Sequence, residues 1–442
     1  MPPDNIKCIS EKLEHTKRKN EAIAAELLTK AKEGNAKINW NAITMLLLFG
    51  DLLDNTTPFT NVKSSSEKNI LPNNKKHKIA EPYNNTYEVY EYYNELINKS
   101  VNTIPKETPC VMGLSGGRDS RHILLSFKSQ QRNLPRLVTS RHFLGNHSEA
   151  DIKIAQNLAS KINANIQVVQ QPNDRFHQEW DKNLHTGLQT TAHSWGLALS
   201  DALSGPEVLF DGMNGGVLFG RSGLLRSAVV KFGEKRLSFN NLRNHVTHHL
   251  IERPYKLQQS WLPTNIISSN TIKDIQDQVD SCFQQYEDYN NPLQAFQYHE
   301  HVRRNTRLFT YGLMKNEFVI CPFDTIEMVN FALNLPWELS SDPHFQSNAI
   351  SYLFPEFGSV MYSEQTNNLP PSWAPNQESE TNSWNRILTI IKPHIEKAGL
   401  DILEKSRQKL KTIQNTTLLA QAIYWEEYGD LPSAHDFFSD IG

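Results

Sequence analysis

Residues 111–121 read VMGLSGGRDSR, and this stretch decides which fold the sequence predicts. The apolar run CVMGL at 110–114 predicts a short buried strand, and RHILLSFKSQQ at 121–131 predicts a helix soon after it. A glycine-rich turn between a parallel strand and a helix exposes backbone N–H groups beside the N-terminus of the helix, and both favour a bound phosphate. The stretch is therefore predicted to be an anion-binding loop.

The side chains of this loop suit the same purpose. Gly116 and Gly117 allow the backbone to approach a ligand closely, and the Ser115 and Ser120 hydroxyls can donate hydrogen bonds. Asp119 would repel a phosphate unless a cation lay between them, so the sequence also predicts Mg²⁺. The alternative interpretation is an ordinary turn in which serine and aspartate cap the following helix.

The two arginines of the loop leave two interpretations open. Arg118 and Arg121 would neutralise phosphate charge, or each would form a surface salt bridge. The spacing matches neither the GxxxxGK[ST] loop nor the GxGxxG dinucleotide fingerprint, so those two nucleotide-binding motifs are excluded.

Strand-like and helix-like segments alternate after the loop. The predicted elements are a strand at 136–142, a helix at 148–163 with a capping box at Ser148, a strand at 165–170, a helical stretch around 186–204 and a strand at 207–212. This alternation is typical of parallel βαβ units, which bind ligands at the carboxyl ends of their strands. The predicted fold is therefore α/β, with a doubly wound parallel sheet and a mostly helical C-terminal part from about residue 240, interrupted by loops around 365–382.

The rest of the sequence predicts further helices and a domain division, and the composition excludes several classes of protein. Helices are predicted at 9–34, 40–53 and 86–102, with a loop at 54–86, and the 442 residues divide into an N-terminal region at 1–104 and a larger domain at 105–442. A net charge of −3 argues against a dedicated nucleic-acid-binding protein. Four dispersed cysteines do not suggest a zinc or disulfide framework. No apolar run reaches the length of a membrane span, so a cytoplasmic protein is expected.

The loop resembles the SGGxDS pyrophosphate loop of the ATP pyrophosphatase superfamily. The best match is to the synthetase domain of asparagine synthetase-like proteins, which include β-lactam synthetases and lasso-peptide cyclases. Three further stretches resemble family segments in the same order, namely RLVTSRHFLGNHSEADIKIAQNLA at 136–159, VLFDGMNGGVLFGR at 208–221 and CPFDTIEMVNFALNLP at 321–336. The resemblance covers roughly residues 105–360.

This resemblance implies an adenine nucleotide α-hydrolase-like fold that binds ATP and Mg²⁺. The implied cofactor-binding residues are Leu114, Ser115, Gly116, Gly117, Asp119, Ser120, Thr139 and Gly212. The implied catalytic residues are Asp119, Asp211 and Arg118, of which the two aspartates would hold the metal. The implied function is an ATP-dependent, AMP-forming ligase of specialised biosynthesis, which adenylates a carboxylate of a small-molecule or peptide substrate and joins it to an amine to give an amide or lactam. The amine would be free ammonia, an amine of the same substrate or one delivered by a partner protein of the same pathway. The alternative is a catalytically degenerate nucleotide-binding or scaffold protein.

The sequence also departs from the family pattern. Pro2 stands where the amidotransferases have a nucleophilic cysteine, so residues 1–104 are expected to be a truncated or replaced glutaminase domain without activity. Gly216 and Val217 align with two family acids, for which Asp211 and Asn214 are the nearest substitutes. The lysine that the family uses for pyrophosphate is absent from HFQSNAI at 344–350.

Overall fold

The molecule is built on one five-stranded sheet whose strands are all parallel. In this computed structural model, residues 26–63, 85–141, 147–232, 238–365 and 374–439 are described. The strands are β1 (Cys110–Gly113), β2 (Arg136–Arg141), β3 (Ile166–Gln170), β4 (Val208–Phe210) and β5 (Val319–Ile320), in the spatial order β3-β2-β1-β4-β5. The predicted α/β class with a parallel sheet is confirmed.

Side chains of the central strands alternate between two hydrophobic clusters, as the pleat of a strand requires. Met112, Leu137 and Phe210 pack on one face of the sheet. Val111, Val138 and Leu209 pack on the other. Strands buried on both faces read as continuous apolar runs. The register places Met112 beside Leu137 on one side and beside Phe210 on the other.

Helices cover both faces of the sheet. Helices α4 (Asp119–Ser129) and α5 (His147–Lys161) pack on the Met112 face, whereas α7 (Gly196–Leu203) and a π-helical segment (Leu308–Leu313) pack on the Val111 face. The chain runs from β1 outward through β2 to β3, and then returns to place β4 on the free side of β1. The gap between the carboxyl ends of β1 and β4 is therefore a topological switch point, where open α/β sheets bind ligands.

The other helices complete the molecule. Helix α1 includes residues 26–33, and the further α-helices are α2 (Trp40–Phe49), α3 (Thr86–Val101), α6 (Arg175–His185), α8 (Gly215–Leu218), α9 (Gly223–Phe232), α10 (Phe239–Thr247), α11 (Arg253–Gln258), α12 (Ser269–Gln284), α13 (Pro292–Phe296), α14 (Ile326–Asn334), α15 (Trp337–Ser340), α16 (Phe345–Leu353), α17 (Gln377–Ile391), α18 (Lys397–Ser406), α19 (Leu410–Tyr428) and α20 (Ala434–Ser439). Two more π-helical segments span His248–Glu252 and Gln297–Thr306. Short 3₁₀ turns lie at Pro322–Asp324, Pro355–Phe357, Ser363–Gln365 and Lys392–His394.

The described residues before position 105 pack into the same core as the C-terminal helices. Helix α2 contacts α12 and α19. The ring centroids of Phe59 and Trp425 lie 4.7 Å apart, and the Trp425 indole N–H donates to the Ala36 carbonyl at 2.9 Å. The division at residue 104 stays a prediction. Within the described part of the chain, no helix is long and apolar enough to cross a membrane.

Some predicted boundaries differ from the structure. The stretch at 186–204 is not one helix, because Gly187, Leu188 and His193 have positive φ and separate α6 from α7. Helix α2 ends at Phe49 rather than at residue 53, since Gly50 adopts the left-handed conformation that terminates helices. Helix α17 begins inside the loop expected at 365–382.

Parts of several predictions lie outside the described residues. They include Pro2, residues 9–25 of the first helix, residues 64–84 of the first loop, residue 142 of the strand at 136–142, residues 366–373 of the later loops and the side chain of Ser148 in the predicted capping box.

Candidate functional site

The loop after β1 is organised by its own serines. The Ser115 N–H donates to the Ser120 hydroxyl at 3.1 Å, and the Gly117 N–H donates to the Ser115 hydroxyl at 3.2 Å. The two hydroxyl oxygens are also 3.1 Å apart. A hydroxyl rotates and can either donate or accept, so these contacts can be exchanged for contacts with a ligand oxygen.

The middle N–H of the loop has a different partner. Gly116 N–H donates to Asp151 Oδ1 at 2.9 Å, and Asp151 lies in α5, half-buried beside the loop. An ionised carboxylate only accepts hydrogen bonds, and it repels a phosphate. A carboxylate thus occupies the backbone donor that the sequence assigned to a phosphate. A ligand phosphate would have to displace Asp151 or share a cation with it.

Asp119 begins helix α4, but its carboxylate bonds to two distant segments. Oδ1 accepts from the Gln346 amide at 2.6 Å, and Oδ2 accepts from the Gly216 N–H at 3.2 Å. Burial raises the pKa of Asp119, while the nearby Arg221 and these two donors oppose the shift. Each carboxylate oxygen keeps a further lone pair, which leaves room for a hard cation.

Two glycines let the loop after β4 approach Asp119. A Cβ atom at Gly215 would lie 2.3 Å from Asp119 Oδ1, and a Cβ atom at Gly212 would lie 2.7 Å from the Ser120 backbone nitrogen. Either contact is far inside van der Waals range, so the two loops fit together only with glycine at these positions. Gly216, where the resemblance expects an acid, would accept a Cβ atom without a clash: the nearest atom would be Arg221 Cβ at 3.8 Å, an ordinary van der Waals contact.

Asp211 follows β4 and faces the same cavity as Asp119. Its Oδ1 accepts from the Met213 N–H at 2.9 Å and its Oδ2 accepts from the Thr310 hydroxyl at 2.8 Å. Burial raises the pKa of Asp211 to about 6, and the negative charge of Asp119 adds to the increase, although the two hydrogen bonds lower it. Asp211 therefore loses its proton in the folded protein near pH 6 rather than near pH 4.

The arginines of the loop are held by one tyrosine. The guanidinium carbons of Arg118 and Arg121 lie 4.1 Å and 3.9 Å from the centre of the Tyr362 ring. Arg121 is buried and donates to the carbonyls of Val360 and Met361, both at 2.7 Å. Its role is to fix residues 360–362 against the loop, so it is not a surface salt bridge. Arg118, also buried, lines the cavity.

These groups surround one cavity of about 500 Å³ at the carboxyl ends of β1 and β4. The predicted residues that line it are Leu114, Ser115, Gly117, Arg118, Asp119, Ser120, Thr139, Asp211 and Gly212. Gly116 does not line it, although Asp151, which accepts from the Gly116 N–H, does. Asn214, named as a substitute for the missing acids, is buried but also does not line it. A cavity of this size is typical of small-molecule sites.

Sequence reasoning missed several residues of the site. They are Asp151, Trp195, Arg221, Phe309, Gln346 and Tyr362. Gln346 lies in the segment where the family resemblance expects a lysine, so the resemblance indicated the segment but not the residue. The other residues belong to segments that only the three-dimensional fold brings close to the loop, and no local sequence pattern indicates this.

The cavity contains oxygen atoms of the type that divalent cations prefer. Asp119 and Asp211 supply carboxylate oxygens, which Mg²⁺ prefers, and their mutual repulsion would fall if a cation lay between them. A separate group of metal-type ligands among the described residues comprises Asp54, Cys282 and Glu300. Neither predicted metal ligand belongs to that group.

No protein-family model matches the chain, and a search of curated proteins gives no match.

Proposed function

We propose that the chain is an ATP-dependent, AMP-forming ligase that joins a substrate carboxylate to an amine. The observation that carries the proposal is the cavity at the β1–β4 switch point, where two carboxylates, Asp119 and Asp211, face two guanidinium groups, Arg118 and Arg221. Carboxylates suit a nucleotide-bound cation, and arginines suit phosphates. The strand order supports an adenine nucleotide α-hydrolase-like fold.

The proposed reaction has two displacements. An oxygen of the substrate carboxylate attacks the α-phosphorus of ATP, the bond from that phosphorus to the bridging oxygen breaks, and pyrophosphate leaves. The amine nitrogen then attacks the acyl carbon, the carbon–oxygen bond to AMP breaks, and the amine releases one proton to solvent. The products are an amide, AMP and pyrophosphate. The protein needs no nucleophile of its own, because the adenylate is already activated.

The residues of this chain bind and orient the reactants. Arg118 and Arg221 neutralise phosphate charge, and the serines of the loop donate to phosphate oxygens. Asp119 and Asp211 would hold Mg²⁺, which supplies positive charge where the leaving group becomes more negative. Leu114 and Gly212, just after β1 and β4, and Thr139, within β2, are the proposed contacts of the adenosine part.

Exchange of labelled pyrophosphate into ATP tests the first displacement directly. We expect exchange that depends on Mg²⁺ and on a carboxylate, and its loss in Asp119→Ala with the fold intact. Asp201→Ala is the matched control, because Asp201 is an exposed aspartate paired with Lys315. Full exchange in Asp119→Ala would rule out this assignment of the loop.

One observation favours a second candidate, a nucleotide-binding or scaffold protein without catalysis. The Gly116 N–H is already bonded to Asp151, and both oxygens of Asp119 already accept protein donors. A site satisfied in this way costs energy to open for a ligand. Tight binding of Mg·ATP without any pyrophosphate exchange across a broad set of carboxylates would favour this candidate.

A further inference from the structure

The cavity has a charged half and an apolar half. Its charged lining residues are Arg118, Asp119, Asp151, Asp211 and Arg221. All of them belong to the loop or interact with it: Asp151 bonds Gly116, and Arg221 and Asp211 interact electrostatically with Asp119. The apolar half is formed by Val138, Trp195, Leu199, Leu203, Phe309 and Met314. Apart from Trp195, which packs beside it, these residues belong to the buried cluster on the Val111 face of the sheet.

The aromatic wall of the apolar half is fixed in place. The ring centroids of Trp195 and Phe309 lie 4.8 Å apart. The Phe309 ring lies so close to Gly196 that a Cβ atom there would be 2.3 Å from ring carbon Cε2. His193, with a positive φ, packs against Phe309 with the ring centroids 5.1 Å apart. Such a wall is preorganised to pack against a flat or branched apolar group.

A single buried hydroxyl in this half is left unsatisfied. Ser140 follows Val138 by two positions in β2, so its side chain is on the same face of the sheet. The residue is 8% exposed, it lines the cavity, and its hydroxyl has no hydrogen-bond partner among the described residues. A buried hydroxyl without a partner is costly, and a ligand with one polar group would satisfy it.

We propose that the apolar half binds the body of the carboxylate substrate, an aromatic or branched hydrophobic acyl group with one hydrogen-bonding group that reaches Ser140. This inference rests on the proposed function, in which the carboxylate itself must approach the phosphates in the charged half. A substrate with a second charge, such as aspartate, would bury that charge among hydrocarbon with no opposite charge beside it. The polar edge of a purine has several donors and acceptors, which one hydroxyl does not satisfy.

Equilibrium binding tests the inference without requiring turnover. The probes are 3-phenylpropanoate, 3-(4-hydroxyphenyl)propanoate and aspartate, measured by calorimetry in the presence of Mg²⁺ and α,β-methylene-ATP. We expect both arylpropanoates to bind and aspartate to bind at least about 10-fold more weakly. Leu199→Phe, which fills the apolar half, should weaken arylpropanoate binding about 10-fold or more and leave the dissociation constant of the nucleotide within about twofold.

Three variants make the test specific. Phe309→Leu, a change less disruptive than alanine, should also weaken arylpropanoate binding selectively, and Ser140→Ala should reduce the difference between the hydroxylated and unsubstituted acids. The exposed Leu257→Ala is the control. If Leu199→Phe and Phe309→Leu weaken nucleotide binding instead, the apolar half holds the adenine base and the inference is wrong. It is equally wrong if aspartate binds as tightly, or if no carboxylate binds at all.

Failure of the proposed function gives a different result. In that case arylpropanoates bind with the expected dependence on Leu199, Phe309 and Ser140, but no carboxylate supports pyrophosphate exchange. If aspartate supports exchange and the arylpropanoates do not, the proposed ligase function stands and the inference about the apolar half is wrong.

Discussion

Gln346 donates its side-chain amide to Asp119 across 227 positions of sequence, at 2.6 Å. The same nitrogen donates to the Tyr93 hydroxyl at 3.2 Å, whereas the Gln346 carbonyl oxygen is buried without a partner. An uncharged donor thus contacts the aspartate of the loop in the segment where the family resemblance expects a lysine. Because no lysine lines the described part of this cavity, the charge of the site around Asp119 is set by Asp211, Arg118 and Arg221.

Replacing Gln346 by methionine should affect activity more than stability. The change removes the donor to Asp119, so the pKa of Asp119 rises further and the ionised form that binds a cation becomes rarer. It also removes the unsatisfied carbonyl oxygen, which limits the loss of unfolding free energy. We expect pyrophosphate exchange to fall about 10-fold, and Tyr93→Phe, which leaves the Asp119 contact in place, to retain activity. Unchanged exchange in Gln346→Met would show that this hydrogen bond does not matter.

Alanine at two adjacent glycines should have opposite outcomes. Gly215→Ala places a Cβ atom 2.3 Å from Asp119 Oδ1 and 2.9 Å from Gln346 Nε2, so the loop or the carboxylate must move. We expect a loss of about 1 to 3 kcal/mol in the free energy of unfolding in urea and a loss of exchange activity. Gly216→Ala, with its nearest neighbour at 3.8 Å, is the matched control and should be nearly neutral. Equal effects of the two changes would contradict the close approach described here.

Aspartate at position 216 restores an acid where the resemblance expects one. The structure leaves room for a Cβ atom there, beside Arg221, and the N–H of the same residue bonds Asp119. We expect Gly216→Asp to lower the Mg²⁺ concentration needed for half-maximal exchange, with Gly216→Asn as the uncharged control. A large gain would mean that the natural chain is a weakened enzyme or a scaffold. No change would mean that the cation is bound without position 216.

Asp211 should make stability and activity depend on pH in opposite ways. Its folded pKa of about 6 exceeds the ordinary 3.8, so the folded state binds protons more tightly and loses stability as pH rises from about 4 to about 6. Asp211→Asn, which keeps both hydrogen-bonding positions, should be more stable than the wild type above pH 6, by an amount on the order of 2 to 3 kcal/mol. The two proteins should become similarly stable near pH 4 and below.

Urea unfolding at pH 4 and pH 8 measures this difference. The exchange activity of the wild type should decrease below about pH 6, where Asp211 becomes protonated, and Asp211→Asn should be inactive at every pH. The quantity to compare is the difference in unfolding free energy between Asp211→Asn and the wild type. If this difference is no larger at pH 8 than at pH 4, Asp211 is not the titrating group.

Asparagine in place of Asp151 should strengthen nucleotide binding. Its amide oxygen can still accept from the Gly116 N–H, so the loop keeps its shape, while the charge that repels a phosphate is lost. We expect the dissociation constant of Mg·ATP to fall about 5- to 10-fold at low salt, and less at high salt because of screening. Asp174→Asn, an aspartate that caps helix α6, is the control. Weaker binding in Asp151→Asn would instead assign Asp151 to the cation.

The sheet was predictable because its strands carry strong local signals. CVMG and VLF are apolar throughout, and each precedes a glycine-rich or polar turn, so their type and position follow from the sequence. β5 was not predicted as a strand, because Val319–Ile320 is too short to show a periodic pattern. It pairs with β4, which is distant in sequence, so only the fold reveals the pairing. The π-helical segment Leu308–Leu313, which positions Phe309 and Thr310, has no distinct sequence signature.

The candidate site was predictable only where a motif is contiguous. The loop at 114–120 and Asp211 are local features at strand ends, and both line the cavity except for Gly116 of the loop. The Gln346 and Tyr362 contacts come from α16 and the segment after it, so no local pattern connects them with the loop. Arg307 illustrates the same limit: it forms a buried ion pair with Asp324 at 2.8 Å, and no local pattern in the sequence connects these two residues.

The position of β4 beside β1 has a consequence for synthesis on the ribosome. β1, β2 and β3 emerge first and can pair at once, but the other edge of β1 stays open until β4 has been made. Between Gly113 and Val208 the chain has roughly 95 residues, and translation at about 5 to 20 residues per second needs about 5 to 20 s to produce them. An open, apolar strand edge of this kind pairs readily with other chains, so the nascent protein is prone to aggregation in this interval.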